Sequence, residues 1–157
     1  MPSKPRKRKN QGLVHYDVRL TDWRWNYSFS VATPLGLEPP RKPFFDDRQM
    51  ELYGVPIRAD GLKADAAKIR LLFLVDMKGM GDISPPPTIG DIYLHDRLLE
   101  ALVIMPTDVL SSVLVMLTTN QFKRVSIWAP KLRYGKSQVE GFHFYRAIDD
   151  SDPLSVS

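Results

Sequence analysis

Residues 13–32 read Leu-Val-His-Tyr-Asp-Val-Arg-Leu-Thr-Asp-Trp-Arg-Trp-Asn-Tyr-Ser-Phe-Ser-Val-Ala, with apolar side chains at 14, 16, 18 and 20 and again at 23, 25, 27, 29 and 31. A period of two is the signature of a strand with one face turned to a core. The phase slips by one at Thr21-Asp22. Two devices produce such a slip: a tight hairpin turn, or one long strand carrying a β-bulge. Thr-Asp lacks the Gly that tight turns favour, and the residues leave both readings open.

Further strands follow from the same reasoning. Gln49–Arg58 alternates weakly around Met50, Leu52, Val55 and Ile57, and Pro56 suits only an edge strand or a bulge. Lys68–Met77 contains Ile-Arg-Leu-Leu-Phe-Leu-Val, an apolar run that reads as a central strand buried on both faces. Ile89–Met105 reads as two strands around Asp96-Arg97, or else as a short helix over 95–102. Arg124–Ala129 alternates, and Lys131–Tyr134 with Gln138–Arg146 reads as a hairpin joined by Tyr134-Gly-Lys-Ser. The aromatic strands at the two ends of the chain could lie together and close a sheet.

One segment has the other period. Val109, Leu110, Val113, Leu114, Met116 and Leu117 follow the helical spacing, with Thr107 or Asp108 available as a cap and Asn120 as a stop. The expected fold is α+β leaning all-β: a mainly antiparallel sheet, as a sandwich or half-open barrel, with one amphipathic helix over 107–120. A layered α/β unit is the runner-up if 64–70 and 95–102 are helical. The Pro-rich stretches 33–48 and 79–88 are expected to be loops, with Phe44 and Phe45 pinning the first to the core.

Charge divides the chain more sharply than hydropathy. Lys4, Arg6, Lys7, Arg8 and Lys9 place +5 in the first ten residues, more than the +4 of the whole chain. The acidic end (Asp149, Asp150, Asp152) carries −3, which leaves +2 for residues 11–148. Residues 1–12 are expected to be a disordered basic arm, since it has nothing to pack apart from Met1, with 13–148 one globular domain and 149–157 a disordered acidic tail. A run of basic side chains neutralises phosphates and releases counterions; it also resembles an import signal, or serves as a solubilising tail.

The chain has no Cys, so disulfides, thiolate metal sites and a Cys nucleophile are excluded, and a reducing compartment is the simple reading. Leu98–Leu117 is the most apolar long stretch, but Glu100, Pro106 and Asp108 interrupt it, which points to a buried strand and helix rather than a membrane span. No export signal follows the basic start, so the expected location is cytoplasmic, or nuclear in a eukaryotic host.

Four candidate chemistries can be weighed. Trp23, Trp25, Tyr27 and Phe29 beside Arg24 are the parts of a base-stacking platform, but rings on one strand face are more often core; Arg19 and Arg24 would then lie on the outer face near the root of the arm. Asp76-Met-Lys78, with Asp60 and Asp65 upstream, resembles the layout of a Mg²⁺-dependent nuclease site. His15, His95 and His143 lack the spacing of a zinc motif. No Gly-x-Ser-x-Gly elbow or phosphate-binding Gly motif occurs. The function these features favour is a non-catalytic binding or assembly subunit that contacts nucleic acid, DNA or RNA, within a larger complex of protein partners. Lys4, Arg6, Lys7, Arg8, Lys9, Arg19 and Arg24 would carry the contact, with no metal, no cofactor and no membrane. The alternatives are a protein-interaction module and a metal-dependent nuclease.

Overall fold

The structure, a computed structural model, describes residues 12–31, 43–58, 61–79 and 86–147. Eight strands form one mixed, mostly antiparallel sheet: β1 Leu13–Val31, β2 Phe44–Arg58, β3 Ala66–Val75, β4 Gly90–His95, β5 Leu98–Pro106, β6 Arg124–Pro130, β7 Lys136–Val139 and β8 Gly141–Tyr145. Their spatial order is β7-β4-β5-β3-β2-β1-β6-β8, and the one parallel pair is β3–β5. A 3₁₀ turn over Thr107–Val109 leads into the helix α1, Leu110–Thr118.

The edge strands β7 and β8 are consecutive in the chain, with only Glu140 between them. The sheet therefore curls until its edges meet at one corner. Two hydrogen bonds tie that corner: the Glu140 N–H donates to the Trp128 carbonyl at 3.0 Å, and the Ile89 N–H to the Val139 carbonyl at 2.8 Å. The hydroxyl of Thr88 adds a third, donating to the same Val139 carbonyl at 2.8 Å. Gly141 sits where a Cβ would lie 2.1 Å from the Trp128 ring, so the turn of the corner depends on a residue without one.

Alternate residues fill the concave side. Met50 and Leu52 of β2, Ala67, Ile69, Leu71 and Phe73 of β3, Leu99, Ala101, Val103 and Met105 of β5, and Val125, Ile127 and Ala129 of β6 are buried there. Val113 and Leu117 of α1 join the same core. The expected β-rich fold with one helix is thus what forms.

Several local expectations are decided. The phase slip in β1 is a bulge, at Leu20/Asp22, inside one continuous strand. Asp96-Arg97 makes the β4–β5 turn with both φ positive, 47° and 64°, the type I′ geometry usually given to Asn-Gly; neither 64–70 nor 95–102 is helical. Pro56 lies beyond the last β3 partner of β2, which is Gly54, so it sits where β2 has a free side.

Other expectations need correction. β3 is central but buried on one face, because Lys68, Arg70 and Leu72 stand half-buried on the convex side. Regular structure begins at Phe44, inside the expected loop 33–48, and Phe44 and Phe45 are exposed rather than pinned to the core. The helix starts without a side-chain cap from Thr107 or Asp108: β5 runs straight into the 3₁₀ turn, whose own hydrogen bonds replace the cap. Asn120, at φ 57°, does end it. The expected hairpin 131–146 is reduced to an Arg133–Lys136 bridge, because β7 pairs with β4 and β8 with β6. β1 and the last strand do not touch directly; β6 lies between them.

Candidate binding surfaces

β1 is two structures in one strand. Residues 13–19 pair with β6 on one side, and residues from Asp17 onward pair with β2 on the other. Past Arg19 the β6 partner ends, and β2 loses its β3 partner before Gln49. Asn26–Val31 and Phe44–Arg48 therefore form a two-stranded ribbon with no third strand among the described residues.

The four aromatic residues divide at this point, which corrects the reading of all four as core. Trp23 and Trp25 pack against the core, Trp25 meeting Phe73 edge-on at 6.3 Å. Tyr27 and Phe29, on the same face, are 54% and 60% exposed. The Phe29 ring stacks on Phe44 of the facing strand at 5.2 Å, while Phe44 stays 51% exposed. Val31 and, on the opposite face, Phe45 are open as well. The rings leave the core because the body ends, and period-two alternation runs on without it.

On the convex side, charges interleave. Lys68 pairs with Glu51 at 3.1 Å, and the Tyr53 hydroxyl donates to the same carboxylate. The Tyr53 hydrogen bond and then Lys68 hold the Glu51 carboxyl below its ordinary range, and the Tyr53 phenol is pushed up because its proton is held by Glu51. Arg24 lies over the Tyr53 ring at 5.5 Å and Lys68 at 5.9 Å. A shallow depression of about 200 Å³ opens beside them, lined by Lys68, Arg70, Tyr93, Glu100 and Leu102. It is smaller than the pockets that hold drug-sized ligands, roughly 300–1,000 Å³. The Arg70 Nε there is buried and makes no hydrogen bond among the described residues.

A second convex cluster spans β1, β6 and β8. Asp17 and Arg124, 5% and 3% exposed, pair at 3.1 Å, and the guanidinium lies 4.1 Å over the Tyr145 ring. His15 Nδ1 is 3.4 Å from the buried Ser126 hydroxyl, and His143 pairs with Ser126 in register. His15 and His143 thus share a face, while His95 stands apart beside Asp96. Nothing in residue spacing announces Asp17–Arg124, whose partners are 107 positions apart.

The basic residues of the arm, Lys4, Arg6, Lys7, Arg8 and Lys9, lie outside the described residues. Arg19 and Arg24 are both exposed and both convex-facing. They are not at the root of the arm, however. At about 3.3 Å per residue, the extended strand carries them roughly 23 and 40 Å along the chain from Gly12. Asp76 is exposed and accepts a hydrogen bond from the Lys78 N–H at 3.0 Å. Asp65 is bound to Arg97 at the other end of β3, roughly 36 Å away at the same rise per residue, and Asp60 lies outside the described residues. Among the described residues no three His, Asp or Glu side chains converge on a point where a metal could sit. Nor is any described helix long and apolar enough to cross a membrane. No protein-family model, curated protein or solved structure was found that matches this chain.

Proposed function

We propose that this protein is a non-catalytic nucleic-acid-binding subunit of a larger, non-membrane assembly in a reducing compartment. Its basic arm supplies phosphate affinity and its folded body supplies attachment. The observation that carries this reading is the separation of charge: five cations in the first ten residues against a net +2 over residues 11–148. Asp46, Glu51 and Asp65 each pair with a cation near the surface, and Asp17 with Arg124 in the interior. Arg19 and Arg24 add two outward cations on the strand that continues from the arm.

Titrating full-length protein into labelled DNA and RNA at several salt concentrations tests this. Five phosphate contacts give a log–log salt slope of up to about −4.5 on duplex DNA and about −3.5 on single strands. Deleting residues 1–10 is expected to flatten that slope. Arg19→Ala or Arg24→Ala is expected to lower it by about one contact each. Absence of binding at low salt, or a slope unchanged by the deletion, would refute the reading.

A further inference from the structure

Among the described residues the ribbon has two unpaired edges, and their chemistry differs. Along β2 the free stretch is Phe44-Phe-Asp-Asp-Arg48. Asp46 and Asp47 lie one after the other, with Arg48 tied to Asp46 at 2.9 Å. Charges on an unpaired strand are how sheets deter a further strand from adding. Along β1 the edge without a β6 partner runs from Thr21 to Val31; Asp22 and Arg24 lie in its proximal part, and the distal part, Asn26-Tyr-Ser-Phe-Ser-Val31, carries no charge and no Pro. Its side chains alternate small polar on one face and large apolar on the other, and the apolar ones are exposed.

We infer that the distal edge of β1, Asn26–Val31, pairs antiparallel with the same edge of a second copy of this chain. A two-fold axis through Ser28 makes the stretch complementary to itself: Tyr27 faces Phe29 of the copy, Asn26 faces Ser30, and Ser28 faces Ser28. No like charges meet. Odd residues meet odd residues, so the rings of both copies fall on one face, where cross-strand aromatic pairs stabilise a sheet. The same operation on β2 centres on Asp46 and sets carboxylate against carboxylate, so that edge opposes a second copy. A nucleic acid suits the ribbon less well, because Asp46 stands opposite Phe29 on the ring face, Asp47 lies on the other face, and its one described cation beyond Trp25, Arg48, is already paired. The inference does not depend on the basic arm.

Sedimentation velocity on the full chain, across concentrations up to about 100 µM, tests it. Wild-type protein is expected to move from monomer to dimer. Ser28→Lys sets two cations face to face in the dimer, while in the monomer the new side chain stands opposite Asp47. It is expected to remain folded by circular dichroism and to weaken the dimer by about tenfold or more. Mixing Ser28→Lys with Ser28→Asp is expected to restore association. Wild-type protein that stays monomeric would overturn the inference, as would a Ser28→Lys dimer as tight as wild type. So would a monomer whose Tyr27 fluorescence is quenched by an added oligonucleotide, since the ribbon would then serve bases.

Discussion

The two halves of β1 obey the same alternation and have opposite fates. In residues 13–19 the strand pairs with β6, joined from Asp17 onward by β2 on the other side, and Tyr16 and Val18 are essentially inaccessible to solvent. In residues 26–31 it has one partner, and Tyr27 and Phe29 are more than half exposed. The apolar side chains are as large in the second half as in the first. What differs is whether the apolar face has a core to pack against, which decides whether apolar area is removed from water. A strand's own pattern sets which face is apolar; its partners set whether that face becomes core.

Substitution should separate the halves widely. Tyr16→Ala is expected to cost about 3–5 kcal/mol of unfolding free energy in a denaturant titration, the usual range for deleting a buried ring. Phe29→Ala should cost under about 1 kcal/mol, since much of its ring already faces water. Equal costs would mean that the ribbon is packed as tightly as the body. Asp17→Ala should cost about 3 kcal/mol, because it removes the carboxylate that faces the buried Arg124 charge.

The junction between the halves offers a sharper test. A Cβ at Gly54 would stand 2.1 Å from the Arg19 carbonyl, at the bulge where the phase changes. Backbone cannot yield as a flexible side chain can, so Gly54→Ala is expected to cost about 1–3 kcal/mol and to shift amide resonances of both halves. An effect confined to β2 would argue that the bulge and the ribbon are independent.

The smallest effect concerns pH. The Glu51 carboxyl is held below its ordinary value of 4.5, so its contribution is complete above that value and fades as pH falls through the lower folded value. Tyr53→Phe removes the largest cause. The Glu51 carboxyl resonance should then titrate closer to 4.5, with only a slight loss of stability above that pH. A titration unchanged from wild type would assign the shift to Lys68 instead.

These contrasts show how much the residues alone disclose. Strand faces, the phase slip, the β4–β5 hairpin and the helix are local, and a short window of side chains reveals them. Strand neighbours are not local. The parallel β3–β5 pair, the corner at Glu140 and the Asp17–Arg124 bridge each join distant segments, so no window contains their cause. The split of the aromatic residues was hidden for the same reason. One signal did exist: charges crowd 46–48 and avoid 26–31. Read as edge chemistry, that contrast marks where the sheet narrows to two strands.

Hydrogen exchange of full-length protein at low and high concentration tests the division of β1 most directly. Amides of Tyr16 and Val18 should be strongly protected at both concentrations. Amides of Asn26–Val31 should exchange faster in dilute solution and slow markedly when concentrated. Protection of 26–31 that equals that of 13–20 and does not change with concentration would contradict the account.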